Sequence, residues 1–240
     1  MRILNPCSLF GQWRAPSLRV TLYLTPCIVS FPPGNRCDVL INPANERLAG
    51  TRFTPGECVR HLAPGSTLLY PPQVIDGLVH GYRGDSSGGD SSGGEALRAA
   101  IARLPIVADG GVRCPLGHAV ATPAFGELSE CYSRIVHCVA PFYSSSDDWR
   151  SILHACYVNA FTASAVHGAK SMAIPLLGSG ARGAPAMQAA EVAASAVRHW
   201  RCERKGNASP IDARFAVIDE DVAGTIAAAM DTTLSRVGVE

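Results

Sequence analysis

The stretch AIPLLGSGARGAPAMQ, residues 173–188, decides the fold. An apolar run ends in Gly178-Ser179-Gly180-Ala181-Arg182-Gly183 and an alanine-rich segment follows, so the local reading is strand, glycine loop, helix. Such a unit is an anion site by construction. Glycines admit close approach, successive N–H groups converge, and the helix N-terminus adds partial positive charge. Pro185 suits the first helical turn, where its missing N–H would be unpaired anyway. A glycine connection required only for packing would look the same, and G-x-G-x-x-G by itself is a weak signal. Gly178, Gly180 and Gly183 spell that motif and raise a dinucleotide-binding Rossmann fold. That fold requires an acidic residue about 20 positions on, ending the next strand. The next strand reads RFAVID (214–219), and its Asp219 lies well beyond that distance, after a polar loop and near the end of the chain. The Rossmann reading fails.

Around the loop, short buried runs alternate with helical patterns. CDVLIN (37–42), GHAVATP (117–123), RIVHCVA (134–140), SMAIPLL (171–177) and RFAVID read as strands. EALRAAIARL (95–104) and PAMQAAEVAASAVRHW (185–200) read as helices, and residues 221–236 as a terminal helix. In residues 148–168, Trp149, Leu153, Cys156, Ala160 and Ala163 share one apolar face, with Asp147 or Asp148 as cap and Gly168 as stop. The alternation implies an α/β domain of three layers, α/β/α, with helices on both faces of a mixed central sheet. GDSSGGDSSGG (84–94) has no apolar side chain to bury and reads as a flexible loop. Its G-D-S-S-G matches the hydrolase elbow G-x-S-x-G only in letters, because no buried strand precedes it and more glycine follows.

The 240 residues, 47% hydrophobic and 17% charged, suit one large domain with a proper core. A net charge of +1 argues against a broad nucleic-acid surface. No apolar run approaches the ~20 residues of a membrane span. The nine cysteines form no C-x-x-C pair, and Cys37, Cys138 and Cys156 sit inside apolar runs as core residues, which points to a reducing compartment, cytoplasm or nucleus. Residues 1–37 contain no Asp or Glu but carry Arg2, Arg14, Arg19 and Arg36, a composition compatible with organellar targeting. Against that stands SLRVTLYL (17–24), where Leu18, Val20, Leu22 and Leu24 alternate with polar or larger residues as in a half-buried strand. Residues 1–16 are set apart as an N-terminal extension, disordered or targeting, and 17–237 as the domain.

The first half of the chain carries the strongest pattern. DVLINPANERLAG (38–50) is a buried strand running into Asn42-Pro43-Ala44-Asn45, and it resembles the first motif of the macrodomain family, D-A-I-V-N-A-A-N-x-x-L. Further blocks follow in that family's order. VIDGLVH (74–80) is similar to V-D-G-A-I-H, CPLGHAVATPAFGEL (114–128) to C-P-T-G-E-A-x-I-T-x-G, and RIVHCVAPFY (134–143) to V-I-H-x-V-G-P-x-Y. CYVNAF (156–161) resembles C-Y-R-N-S-L, and IPLLGSGARGAP the phosphate loop I-x-x-I-S-T-G-x-x-G-x-P.

The resemblance implies binding of ADP-ribose or of ADP-ribosylated protein, with hydrolysis of the terminal ADP-ribosyl ester link, and no metal or other cofactor. Non-catalytic reading of ADP-ribose, or a degenerate domain serving as an interaction module, stay open beside it. Asn45 and Asp76 are the catalytic candidates: Asn45 matches the asparagine that contacts the distal ribose, Asp76 the aspartate that orients water there. Asn42, Gly178, Ser179, Gly180, Ala181, Arg182 and Gly183 are the ligand-binding candidates. Without the resemblance, both asparagines read as holding their own loop backbone, Asp76 as a helix N-cap, His80 and His137 as structural, Tyr157 as core and Arg182 as solvated. Two departures bear on the ligand. The residues between the first motif and V-I-D-G carry an insertion, 51–73, in place of the family's glycine run, and Tyr70-Pro71-Pro72 would stiffen it. No carboxylate occurs in CIVSFPPGNR (27–36), where relatives carry the aspartate that reads adenine.

Overall fold

The computed structural model describes residues 7–15, 17–29, 36–50, 75–81, 93–143, 147–203 and 210–236. The strands are β1 Ser8–Ala15, β2 Leu18–Leu24, β3 Cys37–Pro43, β4 Ala119–Pro123, β5 Tyr132–Cys138, β6 Ser171–Ile174, β7 Ile211–Val217 and β8 Ser235–Arg236. They form one mixed sheet in the order β4-β5-β3-β6-β7-β2-β1-β8. β5, β3, β6, β7 and β2 run parallel; β4, β1 and β8 pair antiparallel at the two sides.

Helices α1 Ile75–Val79, α2 Gly94–Ala102 and α3 Leu128–Cys131 cover one face, and α4 Trp149–Val166, α5 Ala186–Glu203 and α6 Glu220–Asp231 the other. The alternation within each strand divides the core accordingly. Val39 and Ile41, Val136 and Cys138, Met172 and Ile174, and Phe215 and Val217 point to the α4–α6 side, whereas Leu40, Ile135, Ala173 and Ala216 point to the α1–α3 side. Strands buried on both faces read as continuous apolar runs, which is why the central ones were legible. The three-layer α/β/α arrangement expected from the sequence is the one observed.

Among the boundaries that differ from the sequence expectation, four have a local reason. Residues 8–15, set apart as part of an extension, form β1 and pair with all of β2. Trp13 is fully enclosed there, and its indole N–H donates to Asp231 at 2.7 Å. SMAIPLL stops as a strand at Ile174, because Pro175 has no N–H to offer the ladder. RFAVID begins at Ile211 and ends at Val217, so Asp219 caps α6 instead, accepting from the Val222 N–H at 2.9 Å. The expected helix over 221–236 ends at Asp231: the N–H groups of Thr233 and Leu234 close on the Met230 carbonyl, and the chain turns into β8 along the outer side of β1. The insertion 51–73 lies outside the described residues, as does the glycine-serine segment 84–94 except for Gly93 and Gly94, where α2 begins. Among the described residues no helix is long and apolar enough to cross a membrane, and the eight cysteines they include are all free.

β3 sits at the pivot of the connectivity. The chain passes from β3 through α1, α2 and β4 to β5 on one side, then crosses through α4 to β6 on the other. The carboxyl ends of β5, β3 and β6 therefore lie side by side, the usual place for a ligand in an open α/β sheet.

Candidate functional site

Three loops leave those strand ends, and short contacts bind them together. The Ala44 N–H donates to the Cys138 carbonyl at 2.8 Å, joining the loop after β3 to the end of β5. The Tyr143 N–H donates to the Arg182 carbonyl at 2.9 Å, and Arg182 Nη2 donates to the Ala44 carbonyl at 3.0 Å. Thus the glycine loop 178–183 meets both neighbouring loops through one residue. The Arg182 guanidinium also lies 4.2 Å from the centre of the Phe142 ring. Burial pulls its pKa below the usual arginine range, and the opposing charge of Asp76 acts the other way. A solvated arginine is therefore not what the structure holds: Arg182 is built into the loop junction.

The glycine loop is fixed at its ends and open in its middle. The Leu177 N–H donates to the Tyr157 hydroxyl at 2.7 Å, and the N–H groups of Gly183 and Ala184 bond to the carbonyls of Gly180 and Gly178. Among the described residues, the N–H groups of Gly178, Ser179, Gly180, Ala181 and Arg182 are committed to no hydrogen bond. Ser179 Oγ turns back to the Leu176 carbonyl at 2.9 Å. Gly178 has φ +85°, and a Cβ there would meet Leu153 at 3.2 Å, so its identity is dictated twice over. A Cβ on Gly180 would meet nothing within 4 Å, so this glycine faces open space. Tyr157, read from sequence as core, is fully buried but also the anchor of the loop. Tyr157→Phe leaves the buried Leu177 N–H without its acceptor and is expected to cost about 1–3 kcal/mol. A thermal melt indistinguishable from the native one would refute that anchoring role.

The two asparagines behave differently. Asn45 holds its own turn: its Oδ1 accepts from the Ala49 N–H at 3.2 Å and its Nδ2 donates to the Gly50 carbonyl at 2.7 Å. Each of those atoms keeps a second lone pair or hydrogen. Gly50, at φ +76°, packs against the His80 ring, since a Cβ there would meet it at 3.0 Å. Asn42 does not bond its own loop. It is fully buried; its Nδ2 donates to Asp76 Oδ1 at 2.9 Å and lies 3.2 Å from His137 Nδ1. Asp76 stands in the first turn of α1 rather than before it, and is only 3% exposed. His80 Nε2, one turn on, is 3.6 Å from Asp76 Oδ1. His137 Nε2 lies 2.9 Å from Thr122 Oγ1, and burial, helped by His80, pushes the His137 pKa down to about 3.

The sequence candidates thus fall into two groups at neighbouring strand ends: the amide row 178–182 with Arg182, which is tied to Ala44, and the Asn42–Asp76 pair, with the Asn45 turn on the loop that follows β3. Three participants were not among the candidates: Phe142 under Arg182, and the pair His137 and Thr122 behind Asn42. A histidine inside an otherwise apolar strand was the available signal for the pair, because a buried polar side chain needs a partner.

A macro domain-containing protein of Vibrio parahaemolyticus is 31% identical over 185 residues, spanning 77% of this chain and 84% of that protein. The chain belongs to the macro domain family. The family model for the macro domain matches residues 90–193. An O-acetyl-ADP-ribose deacetylase of Citrobacter rodentium is 32% identical over 109 residues, 45% of this macro domain and 58% of that protein. Among solved structures, the Oceanobacillus iheyensis macrodomain with ADP superposes with a TM-score of 0.69 at 17% identity, covering 95% of this chain and 97% of that one. The Trypanosoma brucei macrodomain in complex with ADP gives 0.56 at 19% identity, covering 88% and 68%.

Proposed function

We propose that this macro domain binds ADP-ribose, free or attached to a protein, and hydrolyses the ester link at its terminal ribose. The observation that carries the reading is the row of five uncommitted N–H groups, Gly178 to Arg182, at the carboxyl end of β6. Converging amides on a glycine loop suit a pyrophosphate, and α5 behind them adds its N-terminal partial charge. The half-buried Arg182 supplies a full positive charge at the same junction. The Asn45 turn walls the sugar end, and Asp76 orients the water. In the reaction, water adds across the ester, giving ADP-ribose and a free carboxylic acid. Positioned donors and a fixed water account for most of the acceleration. The 32%-identical deacetylase supports the ester as the bond cleaved.

Binding is tested by titrating ADP-ribose, and AMP in parallel, into the native protein and into Gly180→Asp. Gly180 has room for a side chain, so this variant is expected to melt like the native protein. A carboxylate beside the amide row is expected to weaken ADP-ribose at least about tenfold, since like charges at close range repel by more than 1.4 kcal/mol where water is partly excluded. No heat at millimolar ADP-ribose with the native protein would sink the reading.

One observation favours a second reading, a reader that binds without turnover: Asp76 is 3% exposed, little access for a group that must meet a water on the ligand. Single-turnover release of ADP-ribose from a modified protein separates the two.

A further inference from the structure

We propose that His137 and Thr122 orient the Asn42 carboxamide and, through it, the carboxylate of Asp76, which makes His137 a positioning residue for the hydrolysis proposed above. The four groups lie in one buried line. Thr122 Oγ1 is 2.9 Å from His137 Nε2, His137 Nδ1 is 3.2 Å from Asn42 Nδ2, and Asn42 Nδ2 is 2.9 Å from Asp76 Oδ1. Thr122, His137, Asn42 and Asp76 are all buried. The sheet sets the line: Asn42 on β3 and His137 on β5 are register partners, and Thr122 lies on β4, which flanks β5 on its far side.

Only one assignment of hydrogens satisfies this line. An ionised carboxylate only accepts, so Asn42 must present its N–H2 to Asp76. The second hydrogen of that group points at His137 Nδ1, which must then be bare. A neutral imidazole with a bare Nδ1 carries its proton on Nε2, and that proton goes to Thr122 Oγ1. The polarity runs unbroken from Thr122 to Asp76. In the other tautomer, Nδ1–H would face the Asn42 N–H2; the amide would turn over and place its oxygen against the carboxylate. A threonine hydroxyl can donate or accept, so the Asp76 carboxylate sets the polarity of the line and Thr122 Oγ1 supports it by accepting the Nε2 proton.

The same assignment explains a leftover atom. With both hydrogens of Nδ2 committed, Asn42 Oδ1 is enclosed and has no partner among the described residues. It is an enclosed acceptor on the same carboxamide that holds Asp76, fit to receive the O–H of a buried water. Such an orientation has a use only if something donates there. Among the described residues, the charged and titratable groups around the line are Asp76 and His80 on α1, the Cys114 thiol, which donates to the His137 carbonyl at 3.9 Å, Cys138 on β5, and Arg182, whose charge acts on Asp76.

The test uses Thr122→Val, which keeps the shape and removes the acceptor, with Thr122→Ser as the rescue. The His137 tautomer is read from nitrogen chemical shifts of the labelled full chain, with the resonance assigned by its loss in His137→Gln. Single-turnover release of ADP-ribose is followed against pH, and the ADP-ribose Kd is measured alongside. The native protein is expected to show a bare Nδ1. In Thr122→Val the buried Nε2–H has lost its acceptor, the His137 nitrogen shifts move, Asn42 is held less firmly against Asp76, and the plateau rate falls about tenfold. The Kd stays within about twofold, and Thr122→Ser restores the native profile. A native His137 protonated on Nδ1 overturns the proposal. So does a Thr122→Val profile that superposes on the native one. Should the native protein release no ADP-ribose at all, the hydrolysis reading falls, and the His137 tautomer of the native protein alone decides the orientation of Asn42.

Discussion

Deleting residues 1–16 is expected to abolish the cooperative thermal transition or to lower Tm by more than about 10 °C. Residues 8–15 of this segment are β1 and pair along all of β2. Trp13 lies between the sheet and α6, fully enclosed, with its indole N–H on Asp231 at 2.7 Å. Losing a buried tryptophan alone costs about 3–5 kcal/mol, against a total stability of about 5–15 kcal/mol for a typical domain. The deletion also strips β2 of its partner along seven residue pairs and leaves β8 nothing to bond. An exposed central strand is an aggregation template, so the truncated chain is expected to be insoluble rather than merely less stable. Equal Tm and solubility for the native and truncated proteins would show that β1 is an accessory.

β1 also shows what the sequence concealed. SLRVTLYL alternates cleanly, and β2 was legible from it. SLFGQWRA does not alternate, because the register shifts between Leu9 and Gly11 and the two-residue period is lost at the bulge. Gly11, which looks like a strand breaker, is there because a Cβ would strike the Trp13 ring at 2.6 Å. Its reason is the Trp13 side chain two residues on, which folds over Gly11, and the orientation of that ring is not written in the residue types. The glycine loop was the opposite case. Its demands are local, a positive φ at Gly178 and Gly183 and bare amides between, so the residue types themselves carry the message.

The candidate site divides along the same line. Asn45 bonds within five residues of itself, and its loop-holding role was one of the readings open from sequence. Asn42 was expected to do likewise, yet its partners are Asp76 and His137, 34 and 95 positions away. Those pairings come from strand register and from the docking of α1 on β3, which a single sequence does not encode locally. Arg182 follows the same rule: its position in the loop was legible, but its contacts with Ala44 and Phe142 depend on three strand ends meeting.

Asp76→Asn is expected to lower single-turnover release by about 10²–10⁴-fold, the usual span for losing a group that handles the proton of an attacking water. The variant is sharper than Asp76→Ala. An asparagine at 76 can keep its Oδ1 on the Asn42 Nδ2, so the buried 2.9 Å bond survives and only the charge is lost. Asp76→Ala removes the bond as well and leaves a buried amide hydrogen unpaired, which adds about 1–3 kcal/mol of instability to any catalytic effect. The ADP-ribose Kd separates chemistry from binding. The phosphate row and Arg182 are untouched, so Kd is expected to move less than about threefold in Asp76→Asn while the rate collapses. Equal release by the native protein and Asp76→Asn would remove Asp76 from the chemistry. A native rate already at background, with tight binding, would instead favour the reader, and the 3% exposure of Asp76 would then be the physical reason. The two failures leave different traces, since the first retains turnover and the second never shows it.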